Sequence, residues 1–598
     1  MKKSLYISAL ALMLAGTSFT SCSDFLEADN KTTANKTADD YLKLHPDEVL
    51  YEAYSSVYDF VATVAINEEG TDLYIPVRGK SASEFDQYTL NASNADVYSY
   101  YKALYKTINN ANGVVYYNNQ SINNKSYDAE AKFLRCWCYY LLTQQFGAVP
   151  YTLDYYKDYT TSFPRTPLET IYNSCITELE DVYNSINDGT TTVSSSEGAP
   201  NKLAFASLIA KLYLAKAWDL NVTSEGADVA PMSGNEDFTN AAKWAAIASG
   251  NTDGSDPKEL TLSFEEKWSP NNVHNAEFIW GVEYNKATGV AHSLQNDYGN
   301  YYGECKNTGN KNVGSTHAQS EKSLYLYALN DLRYEGTFMT TIYNFDTATG
   351  WLQSGYYAAY NNPSYGKICY RYFPYYVTQS EAESELKSNK AKYAYNTAEG
   401  NNASKAYILD PNNSVRFDFS EDGSFESTPY TYSALSTQVA GGICVKKFDD
   451  ASSEMVTSKG DYRSIPVFHT SDMYLTAAEA YYMAGNTDLA EKYVNAVRNR
   501  ANAGEVSLTD MSKYTDIYRY SAAAGGFKAI DIILDERARE CYAERTRWID
   551  LRRTKQLVRY NTAYNKLLQG GTVKTLRPIP TNEMSNNSGI GGDQNPGY

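Results

Sequence analysis

The chain has 598 residues, 56 of them tyrosine, and a formal net charge of −18 at pH 7. This acidic balance argues against a nucleic-acid partner, because phosphate binding needs clustered lysine and arginine side chains. Hydrophobic residues make up 43% of the chain, which is ordinary for a folded protein and argues against extensive disorder. A tyrosine ring has an apolar face and a polar edge, so this composition indicates surfaces that contact a partly polar ligand.

The first residues have the pattern of a targeting signal. Two lysines precede an apolar run at residues 5–14, which is too short to span a bilayer. Cys22 follows small residues and resembles the acylated cysteine of a bacterial lipoprotein, so we predict a signal peptide at 1–21 and lipidation of Cys22. The polar residues 22–46 are predicted to form a tether, with the lipid as the only membrane attachment. A plain secretory signal with an incidental cysteine is the alternative.

Helical periodicity recurs through residues 47–250, which we predict to be an N-terminal helical part. Val49, Ala53 and Val57 recur at helical spacing and predict a first amphipathic helix over residues 47–66. Polar connections rich in serine, threonine, glycine and aspartate separate the segments that follow. Further helices are predicted at 101–115, 128–146, 168–187, 202–219 and 237–249.

The middle of the chain, residues 251–465, is different in kind. Helical periodicity appears only near 319–330 and 380–391, and glycine, asparagine and tyrosine are frequent. Residues 351–376 contain eight tyrosines. Long irregular segments on a regular scaffold are usually functional or disordered, and so many aromatic residues argue against disorder. We therefore expect a large irregular loop region that binds the ligand.

The C-terminal part, residues 466–598, opens with a helical hairpin at 471–503. Small and large apolar residues face one side of each half of the hairpin. Gly485-Asn486 interrupts this pattern where a left-handed C-terminal cap is expected. Thr487 is the predicted N-cap of the second helix. The order of large and small residues resembles a tetratricopeptide unit. One last long helix is predicted over residues 528–557. The predicted fold class is all-α, with stacked helical hairpins as the scaffold.

The last predicted helix alternates acidic and basic residues one turn apart. Glu536 and Glu540 are interleaved with arginines, which lower carboxyl pKa values and so work against a general acid. The pattern therefore favours a structural ion-pair lattice over a catalytic carboxylate pair, and the protein is not predicted to be an enzyme. The five histidines lack metal-ligand spacing, and the seven cysteines besides Cys22 are predicted to be buried thiols. No cofactor is predicted, and bound Ca²⁺ stays an open alternative.

A further set of stretches carries a resemblance to a known family. The stretches are SCSDFLE (21–27), 129–151, 163–180, 465–501, 533–553 and 576–598. Together they resemble the SusD/RagB family of outer-membrane nutrient-binding lipoproteins. They lie in the family's order along almost the whole mature chain, although Arg545 stands where a glycine is usual and Tyr101 where a tryptophan is.

The resemblance implies one SusD-like domain over 47–598, with about four tetratricopeptide-like helix pairs. It also implies a lid on a SusC-like TonB-dependent transporter, outside the outer membrane, that captures a glycan and has no catalytic activity.

Three loops combine aromatic platforms with polar edges, the surface that suits a sugar ring with its apolar face and belt of hydroxyls. Trp351 offers the largest platform. The alternatives are that these rings only pack loops onto helices, that the ligand is a peptide or protein, or that the protein is a lid without a ligand site. The candidate residues are Asp72, Tyr74 and Arg78; Asn296, Asp297, Tyr298, Tyr301 and Tyr302; and Trp351, Tyr356, Tyr357 and Asn361.

Overall fold

A computed structural model gives the structure of the chain. The predicted signal peptide at 1–21, Cys22 and most of the predicted tether lie outside the residues that the structure describes. The described residues are 38–76, 81–158, 160–226, 229–298, 317–345, 366–393, 404–420, 422–432, 443–450, 460–513, 527–568 and 571–598.

Helices dominate the N-terminal part. Asparagine side chains cap several of them: Asn94 accepts from the backbone N–H groups of Asp96 and Val97, and Asn201 accepts from that of Ala204. The helices are α1 (Ala38–Leu44), α2 (Pro46–Val57), α3 (Ala65–Glu68), α4 (Glu84–Gln87), α5 (Ala95–Asn119), α6 (Lys125–Phe146), α7 (Leu168–Asn187), α8 (Lys202–Asn221) and α9 (Glu236–Ala248); the short strands are β1 (Tyr74–Pro76), β2 (Val149–Pro150) and β3 (Arg165–Thr166).

Two N-terminal elements differ from the predictions. The helix predicted over 47–66 ends at Val57, and the chain turns there before the short α3. The predicted tether contains α1, because the Asp39 carboxylate accepts from the Tyr117 hydroxyl and pairs with Lys157. Tertiary contacts therefore order a segment whose polar composition alone indicates a linker.

The middle part contains a sheet that the sequence did not reveal. The elements of this part are α10 (Phe264–Trp268), β4 (Phe278–Val282), α11 (Leu294–Asp297), β5 (His317–Gln319), α12 (Glu321–Tyr325), α13 (Arg333–Thr337), β6 (Thr341–Phe345), β7 (Gly366–Pro374), α14 (Gln379–Ser388), β8 (Lys405–Leu409), β9 (Ser414–Phe419) and β10 (Phe425–Tyr430). The strand order of the sheet is β10-β9-β8-β7-β6, and all pairs are antiparallel except β7 with β8.

This sheet has a small core of its own. Phe373, Ile408 and Phe417 from three strands pack with Ala382 and Leu386 of α14. Strand residues alternate between the two faces of a sheet, so Val415, Phe417 and Phe419 of β9 lie on one face, and all three contribute to this core. The sequence pattern did not predict these strands within the large irregular region.

The C-terminal hairpin is confirmed. Gly485 has φ +89°, as the predicted left-handed cap requires, although Asn486 and not Thr487 is the N-cap, because its side chain accepts from the N–H of Leu489. The elements are β11 (Ile465–His469), α15 (Thr470–Met483), α16 (Thr487–Arg500), α17 (Ala529–Glu540), α18 (Arg547–Arg553), α19 (Leu557–Tyr564) and α20 (Thr581–Asn586).

The single long helix predicted over 528–557 is wrong. Helix α17 ends at Glu540, and α18 begins at Arg547 after a break in which Ala543 and Arg545 have left-handed backbones, with φ +66° and +61°. Neither residue is glycine, so no local signal marks the break. The N–H of Ala543 donates to the Tyr74 hydroxyl oxygen at 2.8 Å, which shows that a distant contact fixes this conformation.

Helix packing follows one continuous series. Helix α2 packs on α5, α5 on α6, and the series continues through α7, α8, α9, α15, α16 and α17. The predicted all-α class with stacked helical hairpins is confirmed by this arrangement. One large apolar core extends from Val49 to Ile590, and Cys136, Cys138 and Cys175 are buried thiols within it. Among the described residues no helix combines the length and the apolar character needed to cross a bilayer.

We predict that Gly485→Ala lowers the free energy of unfolding by about 1–2 kcal/mol more than Gly250→Ala does. Both glycines have left-handed backbones, so both variants carry the cost of that conformation. A Cβ at Gly485 clashes with Ser233 Oγ and lies 3.0 Å from Ser233 Cβ, whereas one at Gly250 meets nothing within 4 Å. Urea unfolding of both variants measures the difference. Equal losses for the two variants contradict the close approach at the hairpin turn.

Candidate ligand-binding site

A lattice of buried ion pairs surrounds the end of α17. Glu536 of α17 pairs with Arg333, with Arg498 at 2.8 Å and with Arg539 at 2.7 Å. Burial by itself raises the pKa of Glu536, but the three guanidinium groups outweigh it and lower the pKa to about 2. One turn later, Glu540 also lies among cations, so these carboxylates are ionised and structural.

The lattice continues from Glu540 into the hairpin. Its carboxylate accepts from Lys267 at 3.2 Å, from Ser471 at 2.6 Å and from Arg500. All four side chains are buried, and they belong to α10, α15, α16 and α17. The predicted ion-pair lattice between the last helices and the hairpin is thus confirmed, and its carboxylates are the reverse of a general acid.

Three potential metal ligands lie together beside this lattice. His469, Cys541 and Glu544 place one ligand atom each within 4.8 Å of the others. However, the Lys447 ammonium donates to Glu544 at 2.7 Å and the Lys267 ammonium lies 3.1 Å from His469 Nδ1. Burial also raises the pKa of the Cys541 thiol. Two ammonium groups and a protonated thiol do not suit a divalent cation, so these residues form part of the ion-pair network.

Asp72 is not on an exposed edge as predicted. Its side chain is fully buried, and it accepts from Arg547 Nε at 2.8 Å, Arg547 Nη2 at 2.7 Å and Lys322 Nζ at 2.7 Å. Burial alone raises its pKa, but the two cations hold the pKa well below its ordinary value. The prediction that Asp72 contacts a ligand is corrected, because two buried cations already use both of its oxygens.

Tyr74 and Tyr298 are also buried. Their ring centroids lie 5.7 Å apart, and Tyr74 further contacts Tyr542 at 5.2 Å, next to the helix break. Only 5% of Tyr74 and 2% of Tyr298 is exposed, so neither ring is available as a platform for a sugar in this structure. For these two residues the alternative that the rings pack loops onto helices is the correct one.

The other candidates have different outcomes. Asn296 and Asp297 lie half-buried on the short helix α11, where Asp297 accepts from the Ser293 hydroxyl at 2.6 Å. The rest lie outside the described residues and remain predictions: Arg78, Tyr301, Tyr302, Trp351, Tyr356, Tyr357 and Asn361.

The structure brings the described ends of the first two predicted loops together. Strand β1, which leads into the first loop, pairs with β5, which follows the second, and Tyr74 contacts Tyr298. The carbonyl of Tyr298 accepts from the N–H of Val445, and Val445 forms a β-bridge with Phe338, three residues before β6. The third loop follows Phe345 at the other end of β6, so the start of this strand lies next to the ends of the first two loops.

Sequence reasoning missed the residues that hold these loop ends. Lys322 of α12 and Arg547 of α18 both bind Asp72, and they follow it in the chain by 250 and 475 residues. Arg547 belongs to the charged segment that the sequence singles out, but Lys322 carries no local signal. Such partners are found only by tertiary contact.

A frame of stacked helix pairs that brings the ends of two candidate loops together is suited to a binding scaffold. A sequence profile described as "SusD family" matches residues 249–598, and one described as "Starch-binding associating with outer membrane" matches residues 24–214. The first match alone covers more than half of the chain. The chain therefore belongs to the SusD family, and the description of the second profile includes association with the outer membrane.

Solved structures share this fold at low sequence identity. A laminarin-binding SusD-like protein is 18% identical with a TM-score of 0.60, and the match covers 93% of this chain and 99% of that one. A SusD homologue from Bacteroides thetaiotaomicron is 16% identical with a TM-score of 0.59, over 97% and 100% of the two chains. Surface glycan-binding protein A from Bacteroides uniformis is 15% identical with a TM-score of 0.57, over 92% and 99%.

A curated relative matches part of the chain. A SusD-like protein of Formosa agariphila is 23% identical over 286 residues, which is 44% of this chain and 49% of that protein. The match therefore spans about half the length of this relative.

We predict that Asp72→Asn destabilises the protein by about 3–5 kcal/mol, because the buried cations of Arg547 and Lys322 then share a single carboxylate, that of Asp535. Asp256→Asn is the matched control: Asp256 also pairs with a lysine, Lys492, but both side chains are more than half exposed. We expect the control to change stability by less than about 1 kcal/mol. Thermal and urea unfolding measure both. A small loss for Asp72→Asn contradicts the structural assignment of this residue.

We predict that Glu68 makes stability fall as the pH rises from about 4.5 to about 8. Glu68 is 1% exposed, and burial raises its pKa to about 8 despite nearby Arg545. Between its ordinary value near 4.5 and about 8 the folded state keeps a proton that the unfolded state has lost, so stability decreases across this window. Glu68→Gln removes this loss and raises the free energy of unfolding at pH 9 by on the order of 1–4 kcal/mol.

Unfolding of Glu68→Gln and the parent chain at pH 5 and pH 9 tests this prediction, with a difference expected only at the higher pH. Glu52→Gln is the control, since the Glu52 side chain is 50% exposed. A pH profile that is the same for the parent and Glu68→Gln shows that Glu68 titrates normally.

Proposed function

We propose that the protein is a cell-surface glycan-binding lipoprotein that captures an oligo- or polysaccharide and delivers it to a SusC-like TonB-dependent transporter. The observation that carries the proposal is membership of the SusD family, through the match over residues 249–598. Two structural neighbours support the ligand class, since one binds laminarin and another is named a surface glycan-binding protein. Their low identity leaves the particular glycan of this chain undefined.

The shared base of the first two loops supports a ligand site in the loops that leave it. A sugar needs an aromatic platform for its C–H face and polar groups for its hydroxyls. The loop segments outside the described residues supply both types of side chain, with Trp351 as the largest ring and Asn361 and Arg78 as edge groups. Asn296 and Asp297 are half-buried at the base of the second loop and extend the polar edge.

The N-terminus supports attachment at the outer face of the outer membrane. Acylation of Cys22 leaves residues 22–37 before the first described helix, a segment that spans about 50 Å when fully extended. This reach allows the folded part to close over a transporter while it stays anchored. The paired carboxylates of the lattice, with lowered pKa values, favour binding without catalysis. The proposal includes no cofactor.

We predict that calorimetry against a panel of polysaccharides, laminarin included, finds at least one ligand, and that Trp351→Ala weakens its binding about tenfold or more, because stacking on a large ring is lost. Tyr51→Ala is the control: this aromatic residue is 68% exposed on α2 and belongs to none of the three loops. We expect the control to bind like the parent chain.

The same measurements separate the alternatives. If binding to a crude ligand preparation is lost after protease treatment and kept after glycosidase treatment, the protein is a peptide or protein receptor of the same scaffold. If no ligand binds but the transporter co-purifies, the protein is a lid without a ligand site. Absence of both ligand and transporter overturns the proposed function.

A further inference from the structure

A cavity of about 90 Å³ lies inside the frame, where the break between α17 and α18 meets the N-terminal helices and β11. One wall is aromatic and consists of the rings of Phe60, Tyr100, Trp137 and Phe468. These four side chains are each at most 4% exposed. The cavity is separate from the three ligand loops and results from the helix break that the sequence did not reveal.

The opposite wall carries charges, and each of its three carboxylates already has cationic partners. Asp472 pairs with Lys211 at 2.8 Å, and both Asp472 and Asp550 lie 2.9 Å from nitrogens of Arg537. Glu544 is neutralised from outside the cavity by its buried lysine and histidine neighbours. The negative charges of these carboxylates are therefore already neutralised, and they do not favour the binding of a further cation.

Arg545, which also lines the cavity, is different. It is 92% buried, and the structure pairs it with no carboxylate among the described residues. Its side chain donates a 3.4 Å hydrogen bond to the Ala543 carbonyl and lies over the ring of Phe448. The nearby Glu68 does not compensate it at neutral pH, because burial raises the pKa of that carboxyl to about 8. The neighbouring Arg537 has a buried Nη2 that donates no hydrogen bond among the described residues.

A buried guanidinium without an anion is costly, and a guanidinium binds a carboxylate through two parallel hydrogen bonds. The size of the space limits the ligand, because a cavity of about 150 Å³ holds benzene, so about 90 Å³ suits four or five non-hydrogen atoms. Three carboxylates on the same wall disfavour a dianion such as phosphate. The aromatic wall favours a short alkyl group on the anion.

We propose that this cavity binds a short-chain monocarboxylate, of the size of acetate or propionate, with its carboxylate against Arg545 and Arg537 and its alkyl group against the aromatic wall. The ligand supplies the negative charge that Arg545 lacks. Because the cavity touches α5, α6, α17 and α18 together, the bound anion stabilises the packing of the N-terminal helices on the C-terminal ones.

The test uses the mature full-length chain at pH 7 and constant ionic strength, with sodium propionate, sodium phosphate and sodium chloride as probes. We expect propionate to raise the melting temperature in a saturable way, while chloride does not. We expect Arg545→Gly to weaken the propionate effect about tenfold or more, as the loss of a charged hydrogen-bond pair does. Glycine suits the left-handed backbone at this position, so the variant folds.

Ala543→Gly is the matched control. Ala543 has the same left-handed backbone two residues earlier but no charge, so this variant relieves the same strain without touching the anion site. It keeps the propionate effect of the parent chain. The proposal is overturned if propionate has no saturable effect on the parent chain, if Arg545→Gly responds like the parent, or if phosphate binds more tightly than propionate. The first of these outcomes means that the cavity holds only water.

Discussion

The buried carboxylates of Glu536 and Glu540 are the interaction on which the frame depends. Both are fully buried, and their partners come from the middle part, the hairpin and α17 itself. Burying charges is expensive, and the net gain from such pairs is small because desolvation offsets the attraction. What the lattice does is restrict the arrangement of the helices, since any shift leaves a charge unpaired in a medium of low dielectric.

The same frame positions the bases of the ligand loops. The helix break after Glu540 brings the N–H of Ala543 to Tyr74, and α18 then presents Arg547 to Asp72. The base of the first loop is therefore fixed by buried polar contacts from distant parts of the chain. A rigid scaffold can support different ligands when loops are held at their bases in this way.

The predicted ligand residues show why single residues are difficult to assign from composition. An aspartate, a tyrosine and an arginine in one loop suit a sugar, but the same residue types also satisfy buried cations and pack against helices. Asp72 and Tyr74 belong to the second class, because Arg547 and the helix break take up their polar atoms. Loop composition thus indicated candidate residues, while burial showed the structural role of Asp72 and Tyr74.

The sequence by itself determined the helices, the hairpin with its left-handed Gly485 and the ion-pair lattice, because periodicity, caps and one-turn charge spacing act within a few residues. It also determined the family, through motifs spread along the chain. Only the tertiary structure decided the break at Ala543 and Arg545, the five-stranded sheet and the burial of Asp72. These features depend on partners hundreds of residues away, such as Arg547 for Asp72, and a local pattern carries no trace of such contacts.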